Sequence, residues 1–408
     1  MISRLKGTDD ILPPGSAKWR TLLRAFEDLS ERFGYEFALL PVIEATELFS
    51  RGVGEATEIV EKQMFTFEDR GGRSVTLRPE LTAGMVRAFL DAGAQGTLKL
   101  AAAGPMFRYE QPQKGRRRQF YQVDFEYLGE ESPDADVEII ELAYRLLEEV
   151  GVPGIRLAIN SIGDAADRVE YRRILQEFLR AREGELSPDA RRRIDDNPLR
   201  VLDSKTDAEA VVDAPVPLDH LGGEARAHFD GVRAGLDALG IAYEVVPRLV
   251  RGLDYYNRTV FELFSSGFEA AQSALGGGGR YDPLAEAIGS SREIPAVGAA
   301  MGCDRIVEAM PAPRADRLDV FVAVASPERR NDARRWVSTL RSEGLRVDWD
   351  VTPDRSIRGQ FKSADRAGAA AVAVVGDEWG EGQVTLRRLA TGEEERIAIE
   401  EVGSWLSR

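Results

Sequence analysis

The chain has 408 residues, is 43% hydrophobic and 30% charged, and carries a net charge of −15; its length exceeds one ordinary core, so two or three domains are expected. One cysteine, Cys303, excludes an internal disulfide, and two histidines, His220 and His228, argue against a His/Cys metal site. The short, polar opening MISRLKGTDDILPPG is unlike a secretory signal and no apolar run approaches a bilayer span, so a cytoplasmic protein with no membrane partner is expected.

Residues 16–34 have helical spacing of Trp19, Leu22, Leu23, Phe26, Leu29 and Phe33, with Ser16 as N-cap and Gly34 as stop. The run YEFALLPVIE is extended, and Pro41 inside it predicts an edge or interface strand. Further on, TLKLAAAG, PMFRYEQ and QFYQVDFEYLG are extended, the last two flanking the polar loop PQKGRRR; this predicts a long hairpin. A helix over 134–150 and the strand IRLAINSIG follow. Residues from about 164 to 240 read as an inserted, charge-rich helical module. TVFELF, the glycines Gly276–Gly279 and AVGAAMGC then lead into another helix. PAPRADR (311–317) is a Pro/charge linker. Beyond it, strand–helix–strand–helix–strand and a closing hairpin at Thr391–Gly392 predict a compact α/β unit with a parallel core.

The net charge argues against a nucleic-acid partner, but phosphate binding depends on local clusters. Arg108 to Arg118, RYEQPQKGRRR, holds five basic residues against one acid. On the hairpin, alternation sends Arg108, Glu110, Phe120, Gln122, Asp124 and Glu126 to one face. Such a face is poor core. It suits a floor for a charged, nucleotide-sized ligand, with arginine on phosphate and phenylalanine on a base. The plainer alternative is a solvated sheet face with a basic loop.

Four other segments carry polar chemistry. LVRGLDYYNRTVFEL sets Arg251, Asp254, Tyr255 and Tyr256 among apolar neighbours; Arg251 either pairs with Asp254 or meets a substrate anion. LGGGGRYDPL allows close backbone approach to a ligand or forms a flexible turn, and it is no Walker loop. AVGAAMGCDRIVEAM places Arg305 in the first turn of a helix, at the mouth of a sheet or simply on its surface. TLRPELTAGMVRAFL places Glu80 and Thr82 at a helix start, where a carboxylate can cap the helix or hold an ammonium group.

These segments resemble the histidyl-tRNA synthetases along essentially the whole chain. KGTDDILP resembles the family's opening segment. GYEFALLPVIE, the hairpin and GCDRIVEAM resemble motifs 1, 2 and 3 of class II synthetases. LVRGLDYYNRTVFE and GGGGRYD are particular to the histidine enzymes, and TLRPE, PQKG, NPLRVLDSK and LATGEE also fit. Four positions depart from the usual pattern: Leu81 for glycine, Gln111 for arginine, Tyr121 for histidine and Asp304 for glutamate.

The resemblance implies an α/β (α+β) architecture. A class II antiparallel-sheet catalytic domain with a helical insertion would span 1–315, and an α/β anticodon-binding domain 316–408. It implies ATP-dependent joining of L-histidine to tRNA(His) through a histidyl-adenylate, with Mg2+ arriving on ATP, and a homodimer built on motif 1. Glu80, Thr82 and Gln122 would hold the α-amino group, with Leu81 in the same loop. Glu126 and Tyr256 would bind the imidazole, with Tyr255 lining the pocket. Arg108 and Arg251 would be catalytic, meeting the α-phosphate and the carboxylate of histidine. Glu110 would hold the adenine amino group, Phe120 would stack on adenine, and Arg305 would meet the γ-phosphate. Gln113, Lys114 and Arg116 would touch the tRNA acceptor end. The rival reading is a synthetase-like, histidine-binding regulatory subunit of ATP phosphoribosyltransferase. Such subunits typically lack the C-terminal domain and the complete LVRGLDYY segment, and this chain has both.

Overall fold

The computed structural model describes residues 2–54, 57–111, 116–202, 204, 206–253, 255–267, 274–312, 318–352 and 355–407. Helix α1 (Ser16–Arg32) buries Leu22, Phe26 and Leu29 along one stripe. Ser16 is its first residue rather than its cap; Gly15 holds the cap position with no side-chain bond. The predicted stop is found, with Gly34 at φ +74°. The next run divides around Pro41 into β1 (Glu36–Phe37) and β2 (Ile43–Ala45), each at the edge of a different sheet. Proline brings no ladder donor, which suits a crossing between two edges. Helix α2 (Thr46–Val53), β3 (Phe65–Glu68), β4 (Ser74–Leu77) and α3 (Thr82–Asp91) follow, with β2, β4 and β3 forming a three-stranded sheet.

The predicted hairpin is β5 (Leu98–Phe107) and β6 (Gln119–Leu128), in antiparallel register from Leu98↔Leu128 to Phe107↔Gln119. Helix α4 (Pro133–Glu149) is capped by Ser132, whose hydroxyl accepts the Asp134 N–H. After β7 (Ile155–Ser161), helices α5 (Ala165–Ala181), α6 (Pro188–Asp196) and α7 (Leu199–Leu202) share a small core running from Tyr171 to Ala214. Helix α8 (Gly223–Leu239), reckoned above with the insertion, puts Phe229, Val232 and Leu236 into the main core beside Ile139 and Ile140 of α4.

Strands β8 (Tyr243–Val245), β9 (Asn257–Ser265) and β10 (Ala274–Arg280), helix α9 (Leu284–Ala287), β11 (Ala296–Gly302) and α10 (Cys303–Ala309) complete the first unit, Met1–Ala312. Its sheet runs β1-β5-β6-β11-β10-β9-β7-β8, antiparallel except for the two edge pairs. The glycine run is therefore a central strand, not a turn. A side chain at Gly277 would begin 3.1 Å from Arg251 Nη1, so its absence lets a guanidinium lie on the sheet. Strand β10 ends at Arg280, whose buried guanidinium pairs with buried Asp136 of α4. Removing one partner of such a pair costs about 3–5 kcal/mol.

The second unit is Pro313–Arg408. Strand β12 (Val320–Val324), α11 (Arg330–Ser342), β13 (Val347–Trp349), α12 (Ile357–Arg366) and β14 (Ala371–Val375) give the predicted parallel core. Strands β15 (Gln383–Arg388) and β16 (Glu394–Ala398) are the closing hairpin, before a short α13 (Val402–Leu406). Val320, Val322, Trp336, Ala373, Leu386 and Trp405 belong to a core of its own. Among the described residues no helix is long and apolar enough to cross a membrane.

Candidate active site

The face of β6 predicted to be polar forms the floor of the site. Phe120 and Gln122 line a cavity of about 370 Å³, and Asp124 and Glu126, next along the same face, are fully buried. The walls come from the start of α3 (Glu80, Thr82), the end of β5 and its loop (Arg108, Glu110, Arg116, Arg117), the segment before β9 (Arg251, Tyr255, Tyr256), and Asp304 and Arg305 of α10. That volume lies within the range of small-ligand pockets.

One end is rich in carboxyl groups. Glu126 accepts the Thr82 hydroxyl at 2.6 Å and also the Tyr281 phenol. Burial pushes its pKa up to about 8, against the pull of those two bonds. Burial likewise raises Glu80, which accepts the Ala83 N–H at 3.1 Å and so caps α3 while facing the cavity. Burial also raises Asp124 well above the usual carboxylate range, with Glu126 and Glu80 adding to the effect. Both Asp124 oxygens and the buried Gln122 Oε1 have no hydrogen-bond partner among the described residues. The Tyr255 ring lies 4.7 Å from Tyr256 and 5.6 Å from Tyr281, closing this end with aromatic walls. Acceptors gathered under low solvation suit a cationic or strongly donating ligand.

The other end gathers arginines. Arg108 donates to the Pro79 carbonyl at 3.0 Å and lies over the Phe120 ring at 5.1 Å. Arg251 donates to Glu262 at 3.2 Å, while its buried Nε lacks a partner among the described residues. Arg305 reaches the Ala274 carbonyl at 2.8 Å. Arg116, more than half exposed, stands 3.6 Å from Glu110. Three arginines from three segments facing one cavity match the needs of a polyphosphate.

Residues 7–306 match the family model described as histidyl-tRNA synthetase. The chain belongs to the histidyl-tRNA synthetase family. Residues 319–408 match the model described as anticodon binding domain. The chain is 44% identical to the histidine–tRNA ligase of Geobacillus kaustophilus (strain HTA426), over 98% of this chain and 97% of that one. It is 46% identical to the histidine–tRNA ligase of Rhodococcus erythropolis (strain PR4 / NBRC 100887), over 97% and 95%. Apo S. aureus histidyl-tRNA synthetase superposes with a TM-score of 0.81 at 33% identity, covering all of both chains.

Of the residues the family resemblance singled out, Glu80, Thr82, Arg108, Glu110, Arg116, Phe120, Gln122, Arg251, Tyr255, Tyr256 and Arg305 line the one cavity. Leu81 does not. It packs with Met85, Ala102 and Met106, because the first turn of α3 points it into the core. Glu126 stands behind the wall, held by Thr82 and Tyr281. Gln113, Lys114 and Asp254 lie outside the described residues. The anion that meets Arg251 here is Glu262, eleven residues on and opposite Gly277 in the sheet. Tyr281 and Glu262 were missed as site residues. The signal for Tyr281 was its place two residues after the glycine run; Glu262 had none without the strand register.

Proposed function

We infer that this chain is a histidine–tRNA ligase, joining L-histidine to tRNA(His) with ATP through a histidyl-adenylate. The observation that carries this reading is the polarity of one cavity, carboxyl-rich and aromatic at one end and lined by Arg108, Arg251 and Arg305 at the other. Histidine offers an ammonium group and an imidazole to the first end. Its carboxylate then points toward the second, where the triphosphate of ATP lies. Mg2+ enters bound to ATP.

A carboxylate is already a nucleophile at neutral pH, so adenylation needs alignment and charge neutralisation rather than a base. The histidine carboxylate attacks the α-phosphate, the bond to the β-phosphate breaks, and pyrophosphate leaves. Arg108 and Arg251 neutralise the charge that develops on the α-phosphate. Phe120 stacks on adenine, Glu110 takes its amino group, and Arg305 meets the γ-phosphate. Glu80, Thr82 and Gln122 hold the α-amino group, and the unpartnered Gln122 Oε1 supports that role. Tyr256 and Glu126 read the imidazole, Glu126 through the network it forms with Thr82 and Tyr281. A terminal ribose hydroxyl of tRNA then displaces AMP. A side chain without the imidazole's donor and acceptor leaves these buried groups unsatisfied, which is a strong filter.

Residues 1–315 form the catalytic domain in this reading and 316–408 the anticodon-binding domain. The enzyme acts in the cytoplasm as a homodimer. Exposed Phe37, Leu39 and Ile43, on the segment resembling motif 1, support that pairing. Relatives that span the whole chain do not favour the regulatory-subunit reading. The test is charging of tRNA(His) by the purified protein. Histidine and ATP together should be required, and failure to charge under those conditions would refute the ligase reading.

A further inference from the structure

Arg258 has φ +47°, the one positive value among the described non-glycine residues. It lies just past Tyr255 and Tyr256, on the chain that forms the histidine wall. A strained residue persists only where its surroundings hold it. Here its N–H donates to the Gly163 carbonyl at 2.9 Å and its carbonyl accepts the Ile162 N–H at 2.8 Å. Its guanidinium grips Asp164 at 2.6 and 3.2 Å. Arg168, in the first turn of α5, donates to the Tyr256 carbonyl at 2.6 Å. All of these anchors come from residues 162–168, where the chain leaves β7 and enters the helical insertion.

Apolar packing behind the wall is incomplete. A second cavity of about 90 Å³ lies there, with Ile162, Arg168 and Tyr171 on one side and Leu253 and Tyr256 on the other. Arg251 and Tyr256 border both cavities. On their other side Tyr255 and Tyr256 pack with Val260 and Tyr281 in a buried core, so on the side of the second cavity the polar anchors supply the contacts that packing leaves out.

We propose that Arg168 is a positioning residue for histidine recognition: its bond to the Tyr256 carbonyl, together with the Asp164–Arg258 pair, ties the amino-acid wall to the base of the insertion. The proposal rests on the ligase reading. Arg168 touches no substrate; it sets where Tyr255 and Tyr256 stand. The insertion thereby acts on amino-acid choice without entering the cavity.

The test is ATP–pyrophosphate exchange with histidine and ATP varied separately, on Arg168→Met, Arg168→Lys and Asp164→Asn, with melting of each. Arg168→Met and Asp164→Asn should each raise KM for histidine roughly tenfold, the scale of one lost hydrogen bond to a charged group. KM for ATP and kcat should stay within about twofold. Arg168→Lys keeps a donor and should recover most of the loss. The double variant should lose less than the product of the two single effects, because both act on one wall. KM for histidine unchanged in both single variants, a parallel rise in KM for ATP, no recovery in Arg168→Lys, or a loss confined to melting temperature would overturn the proposal. Absence of histidine-dependent exchange in the unmodified protein would instead refute the ligase reading.

Discussion

Asp304 Oδ1 stands 2.8 Å from Arg117 Nη1. Its other oxygen accepts the Tyr121 N–H at 3.0 Å, so two of the four departures from the family pattern meet each other. Arg117 also pairs with Asp9 at 3.0 Å, and Arg118 lies over the Tyr109 ring at 3.9 Å. Of the three consecutive arginines, Arg116 is the least engaged. Arg116→Gln should therefore lower the log–log salt slope for tRNA binding by a little under one. Arg117→Gln should leave it unchanged. Titrations of tRNA at several salt concentrations check this, and equal slopes for Arg116→Gln and the unmodified protein would remove that contact.

The proposed histidine-binding role gives the two tyrosines different expected effects. Tyr256→Phe removes the hydroxyl of a residue that lines the cavity and should raise KM for histidine by the equivalent of about 1–3 kcal/mol. Tyr281→Phe removes a donor from Glu126 and should act in the same direction while also lowering the melting temperature, since it leaves a buried carboxyl short of a partner. Exchange kinetics and melting on both variants check the distinction.

Glu126 gives the ligand-free protein a pH dependence. Its pKa is raised in the folded state from 4.5 to about 8. A carboxyl raised on folding contributes stability that is full below its unfolded value and is lost as pH rises through the folded value. The window is therefore from about pH 4.5 to about 8. Melting of the unmodified protein should fall across it relative to Glu126→Gln, which cannot ionise. Parallel curves for the two would show that Glu126 does not titrate as described.

The second unit has its own core, and this gives a domain prediction. A chain ending at Ala312 should keep histidine-dependent exchange and lose most charging of tRNA(His). Equal charging by the short and full chains would contradict the anticodon-binding role of residues 316–408.

The hairpin was legible in the sequence because alternation and a polar loop are local signals, and the C-terminal unit was legible for the same reason. The glycine run was not. Glycine has no strand propensity, and only its neighbours β9 and β11 make Gly276–Gly279 a strand. The partner of Arg251 was hidden for a related reason, since Glu262 comes near it through a sheet register that no spacing encodes. Pro41 marks an edge, as proline must, but its neighbours serve two sheets, a tertiary choice. Helix α8 looked like part of the insertion because it is amphipathic and charge-rich; the face it buries belongs to the main core.

Arg251 is the residue on which the proposed adenylation chemistry depends most directly. Its partner Glu262 is about one-quarter exposed, so removing the guanidinium leaves a carboxylate that water can reach. Arg251→Ala should therefore melt close to the unmodified protein and still bind ATP. Its single-turnover formation of histidyl-adenylate should slow by roughly a hundred- to a thousandfold, the loss expected for one preorganised charge-stabilising group. A clearly lower melting temperature with near-normal adenylation per folded molecule would contradict the account and leave Arg251 a structural ion pair.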